Sequence, residues 1–185
     1  MFIKKYLAAS IVFSLSFSLL LAQPAWAESH INAGFQSHST TQTFDDSAAG
    51  TVKNSDSSLY LGAGFSNIYG SDQQHSFGMG IDFEHILGDR LIGLRALDYQ
   101  LKVHKYIKVG GFFGAATLDS GAAQNGYYYG VNLALTETVK HLDIVLEMRF
   151  GDGLARDRIT GDPAGTPPDI FMDYQSSALY ARWNF

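Results

Sequence analysis

The last twelve residues, Tyr174-Gln-Ser-Ser-Ala-Leu-Tyr-Ala-Arg-Trp-Asn-Phe185, decide how the chain reads. Taken in steps of two from the end, Phe185, Trp183, Ala181 and Leu179 are apolar. Asn184, Arg182 and Tyr180 between them are polar or amphipathic. Successive side chains of a strand point to opposite faces, so this stretch is a strand with one apolar and one polar face.

Working outward from it, the same alternation recurs. The clearest case is His141–Phe150, with Leu142, Ile144, Leu146, Met148 and Phe150 set against Asp143, Val145, Glu147 and Arg149. Further strands are expected at 126–136, 106–118, 90–103, 74–86, 58–69 and 30–41. The strand at 90–103 carries a fault. Its apolar set runs Ile92, Leu94, Ala96 and then Leu97, Tyr99, Leu101, so the faces switch between Ala96 and Leu97. A one-residue bulge there restores both halves. Eight strands result. Turns are expected at 70–73, 87–89, 104–105, 119–125 and 137–140, and long polar loops at 44–57 and 151–172.

The start of the chain reads as a secretory leader. Lys4 and Lys5 precede an apolar run to Leu21, and Ala25-Trp26-Ala27 is a small-x-small cleavage site. Residues 1–27 are therefore a signal peptide and 28–185 one mature domain. With no cysteine, the chain has neither a disulfide nor a lipidated cysteine. The two leader lysines taken from thirteen basic residues leave eleven against eighteen acidic ones, a formal charge of −7 for residues 28–185. That balance excludes nucleic acid as a partner.

A secreted chain of alternating strands, rich in glycine and aromatics and ending on Trp183 and Phe185, resembles small bacterial outer-membrane barrels of the OmpA/OmpX and opacity type. The resemblance implies an all-β fold: an eight-stranded antiparallel up-and-down transmembrane β-barrel of residues 28–185 in the outer membrane. It also implies periplasmic chaperones in transit and a barrel assembly machinery that reads Trp183 and Phe185. Outer-membrane lipid and lipopolysaccharide then surround the barrel. With both termini periplasmic, loops 44–57 and 151–172 lie outside the cell.

In that fold the charged faces point inward. Asp82, Glu84, Asp98, Asp143 and Glu147 share the interior with Arg95, Lys102, Lys108, Arg149 and Arg182. Buried charges persist when paired, so the interior is expected to be a salt-bridged plug. An open diffusion pore needs about sixteen strands. Within loop 151–172, Arg156 and Arg158 suit the phosphates of lipopolysaccharide. The role expected is structural or one of surface interaction.

Two other functions fit parts of this pattern. Lipid A deacylase barrels use a His and a Ser two residues apart with a Glu. Glu84-His85-Ile86-Leu87 is the nearest match and has Leu87 in place of the serine. A periplasmic ligand-binding β-barrel is also compatible with alternating strands. The six histidines show no metal-ligand spacing, so no metal, cofactor or catalytic residue is expected.

Overall fold

The computed structural model describes residues 27–44, 51–119, 123–156 and 170–185. Eight strands lie in chain order: β1 (Ala27–Phe44), β2 (Thr51–Tyr69), β3 (His75–Ile86), β4 (Asp89–His104), β5 (Ile107–Asp119), β6 (Ala123–Val139), β7 (Leu142–Arg156) and β8 (Ile170–Asn184). Each pairs antiparallel with its neighbour, and β1 pairs with β8, so the sheet closes into a barrel. Closure leaves no sheet edge at membrane depth, the condition a lipid solvent imposes.

The register fixes the geometry. A walk across paired residues runs Ala33, Leu61, Phe83, Ile92, Thr117, Asn125, Ala155, Phe171 and returns to β1 at Thr43. The walk closes ten residues from its start, the difference between Ala33 and Thr43. A stagger of this size in eight strands tilts them by about 40° from the barrel axis. The fault in β4 is a bulge. Arg95 pairs with Gly114 and Leu97 with Phe113, so Ala96 is the extra residue and both Ala96 and Leu97 face outward.

Inside and outside are inverted relative to a soluble protein. Phe35, Leu59 and Tyr127 are 72%, 62% and 64% exposed. Ile81, Leu94, Phe113, Val131, Leu146 and Leu179 are exposed with them, and Asp82, Glu84, Arg95, Glu147 and Arg149 are buried. A soluble ligand-binding barrel carries the opposite arrangement, and an apolar exterior of this extent is suited to lipid. At the end that bears the termini, Tyr69, Phe77 and Tyr99 form a row on the outer face, the first pair edge-on and the second tilted, with ring centroids 5.7 and 4.9 Å apart. Such rows mark the membrane interface.

The loops are shorter than the sequence suggested. The polar stretch 44–57 reads as loop, yet β2 already begins at Thr51. Likewise β7 continues to Arg156 and β8 starts at Ile170, both inside the stretch 151–172. Above the lipid both faces of a strand meet water. The alternation vanishes there, while the backbone pairing Thr43↔Thr51 to Ser37↔Ser57 persists. The remainder of those two loops lies outside the described residues, as does the leader before Ala27.

Candidate functional site: the barrel interior

The interior is built where the inward positions of neighbouring strands converge. Arg95 on β4 is the first centre. Its Nε donates to Asp82 Oδ2 at 2.7 Å, and Nη1 and Nη2 grip both oxygens of Glu147 at 2.9 and 2.7 Å. This fork-on-carboxylate geometry is available to arginine and not to lysine. Its guanidinium also lies 4.0 Å from the centre of the Phe112 ring.

Arg149 on β7 is the second centre. Nε donates to Glu147 Oε1 at 2.5 Å and Nη1 to Glu84 Oε1 at 2.6 Å and to Gln36 Oε1 at 3.1 Å. Its guanidinium stacks 3.7 Å from the centre of the Tyr60 ring. Three carboxylates thus surround two guanidiniums, and three phenols supply the further donors that the excess negative charge needs. Tyr60 donates to Asp82 at 2.6 Å and Tyr180 to Glu147 at 2.9 Å. The Tyr128 hydroxyl lies between Asp82 and Glu84 at 2.8 and 3.0 Å. Charge-assisted bonds in a dry interior are strong, and the penalty for breaking one is large.

The space for these side chains comes from residues without one. A Cβ on Gly93 would stand 2.6 Å from a Tyr128 ring carbon. Gly130 stands in the same relation to Phe112, at 2.5 Å. Toward the end opposite the termini, the network is capped by a buried apolar cluster of Ile86, Leu91, Leu118, Leu154, Met172 and Tyr174.

The ten charged residues expected inside do not form one network. Asp82, Glu84, Arg95, Glu147 and Arg149 come together, with Asp98 at its margin 3.5 Å from Arg95. Nearer the termini, Lys108 lies 4.0 Å from Asp143, which also accepts from Asn184 at 3.2 Å. Lys102 lines a separate vestibule of about 530 Å³ at that mouth, together with Lys105, Lys108, His104 and His141. Arg182 donates to Asn32 at 3.2 Å and Tyr180 at 3.3 Å. Tyr60, Tyr128, Tyr180, Gln36 and Asn132 were missed as network members. The signal that could have found them is their inward position on the alternating strands, which the alternation assigns to all five.

Trp183 and Phe185 lie on the outer face at the terminal end, 47% and 65% exposed. His85 is outward and exposed beside the β3–β4 turn, with Leu87 in that turn at φ 53°. Arg158 and the side chain of Arg156 lie outside the described residues.

An apolar wall, a closed eight-stranded sheet and a charged interior together define an outer-membrane-type β-barrel of the small kind. Solved structures of such barrels are similar to this chain. Ail, the attachment invasion locus protein of Yersinia pestis, is 12% identical with a TM-score of 0.51, over 86% of this chain and 99% of that one. The outer membrane protein OprG from Pseudomonas aeruginosa is 13% identical with a TM-score of 0.49, over 86% and 96%. At such identity the likeness is one of fold. No protein-family model and no curated protein matches the chain.

Proposed function

We propose that this protein is a surface-display barrel of the bacterial outer membrane, sealed within and presenting the β1–β2 hairpin to an extracellular partner. The observation that carries this reading is an unequal pairing of β2. β1 pairs with β2 from Thr51 to Asn67, whereas β3 pairs with it only from Tyr60 to Tyr69. Thr51–Leu59 therefore offers one row of backbone N–H and C=O groups with no neighbouring strand. Such an edge is a template for an added strand. Its side chains, Lys53, Asn54, Asp56 and their Ser/Thr neighbours, are polar and exposed, which keeps the edge soluble until a matching strand arrives. Arg95, Arg149, Tyr60 and Tyr128, each no more than 2% exposed, fill the cross-section below, so transport is a poor fit.

On this reading outer-membrane lipid and lipopolysaccharide surround the wall, Arg156 and Arg158 approach lipopolysaccharide phosphates, and the assembly machinery reads Trp183 and Phe185. The test combines two measurements. A cysteine placed at Ser55 should react with a membrane-impermeant maleimide on intact cells, and the purified barrel should give no conductance steps in planar bilayers. Labelling only after lysis, or stepwise conductance, would overturn the proposal.

A further inference from the structure

We infer that the outer wall carries a saccharide site: a groove across β6, β7, β8, β1 and the start of β2 that holds the sugar headgroup of a glycolipid from the adjoining leaflet. The groove has a volume of about 460 Å³ and is lined by Tyr129, Phe150, Asp152, Asp173 and Gln175, with Ser39, Thr41 and Lys53 at its far side. It lies at the end opposite the termini, where the outward residues change from apolar to polar. On β8 the outward series runs Leu179, Ser177, Gln175, Asp173, and on β1 it runs Phe35, Ser37, Ser39.

The floor is aromatic. Tyr129 and Phe150 face each other across the β6–β7 pair, with ring centroids 5.5 Å apart and planes 22° from parallel. The wall is polar and locally built. The register of β7 against β8 shifts between Gly151 and Leu154, and Gly153 takes φ 61° in that bulge. The Gly153 N–H then donates to Asp173 Oδ1 at 2.8 Å, which fixes the carboxylate. A pyranose matches this combination. Its C–H face lies on an aromatic ring, and its hydroxyls donate to carboxylates and exchange bonds with amide and hydroxyl groups at the edge.

The alternatives fit less well. A phosphate or sulfate meets Asp152 and Asp173, with Lys53 the one cation among the described residues that line the groove. An acyl chain would strip water from both carboxylates. Among the described residues no group of three or more His, Cys, Asp or Glu stands close enough to hold a metal ion. The lipid link follows from continuity. The next outward residues below Tyr129 and Phe150 are Val131 and Met148, which belong to the apolar wall, so a sugar in the groove has its chains laid along the barrel.

The inference rests on the loop end facing the outer leaflet, as in the proposed function, but its test does not. The mature barrel is placed in phosphatidylcholine nanodiscs doped with diglucosyl diacylglycerol, and retained lipid is counted by native mass spectrometry. The wild-type barrel should retain the glycolipid. Tyr129→Leu and Gln175→Leu, each checked for heat-dependent gel mobility, should retain about tenfold less, while Tyr127→Leu, outside the groove, should match wild type. Equal retention by all four proteins would overturn the site. Displacement of the glycolipid by phosphatidylglycerol would overturn the saccharide in favour of an anionic headgroup, and displacement by soluble maltose at equal concentration would overturn the lipid link. None of these outcomes bears on the maleimide labelling, so the two readings fail separately.

Discussion

Glu147 is the carboxylate on which the interior depends. It receives Arg95 through both oxygens, Arg149 through one, and Tyr180 and Asn132 at 2.9 and 3.2 Å. Glu147→Gln removes the charge and leaves two buried guanidiniums sharing the remaining acids. The expected cost is about 3–5 kcal/mol, the range for breaking a buried pair from one side. Urea unfolding of the barrel in lipid vesicles checks it. The comparison is Arg90→Ala at the Arg90–Asp119 bridge, whose partners are 72% and 59% exposed, where a change below about 1 kcal/mol is expected. Equal midpoint shifts for the two variants would contradict the account of the core. Gly93 gives a second residue-scale prediction. Gly93→Val puts a side chain where the Tyr128 ring stands and pushes its hydroxyl off Asp82 and Glu84. Its unfolding midpoint should fall well below wild type, and pairing Gly93→Val with Tyr128→Ala should recover part of the loss.

At the scale of the strand, the bulge at Ala96 sets which face of β4 meets lipid. Deleting Ala96 removes the extra residue, so Arg95 and Leu97 meet Gly114 and Phe113 as consecutive residues and both halves keep their faces. Deleting Tyr99 instead slides the end of β4 by one residue and turns Gln100 and Lys102 toward the bilayer and Leu101 toward the core. The Ala96 deletion should therefore retain the heat-modifiable folded species, and the Tyr99 deletion should lose it. This device was legible in the sequence because the apolar series breaks between Ala96 and Leu97, and only an inserted residue reconciles the two halves. The ends of β2, β7 and β8 were not legible. Thr51–Ser57 is exposed on both faces, so its residues carry no inside–outside contrast. Only the pairing with β1 makes that stretch a strand, and pairing leaves no mark in a chain that is polar throughout.

For the whole molecule, the interior shows the same division between what alternation reveals and what closure decides. The inward acids and bases were identifiable because a charge on a face opposed to Leu, Ile or Phe has one place to go. Which of them meet depends on strand tilt and on the ten-residue stagger from Ala33 to Thr43. That stagger brings Arg95 of β4 to Glu147 of β7 and leaves Lys108 with Asp143 in a second layer. The role of the phenols is not legible in the sequence, because tyrosine reads as apolar on an outward face and as a donor on an inward one. Closure also sets the thickness of bilayer the barrel suits. On β7 the outward apolar run from Leu142 to Phe150 spans nine residues. At about 3.3 Å per residue and a tilt of about 40°, it covers about 23 Å of the bilayer normal. That is thinner than the ~30 Å hydrocarbon core of a common bilayer. Refolding from urea should therefore be more complete in vesicles of dilauroyl than of dioleoyl phosphatidylcholine, scored by the heat-modifiable fraction on gels. A preference for the thicker lipid would mean that the apolar wall extends beyond the Leu142–Phe150 run. The polar outward residues Ser37, Ser57 and Ser177 would then lie within the hydrocarbon, and the groove beside them would lie too deep to take a sugar.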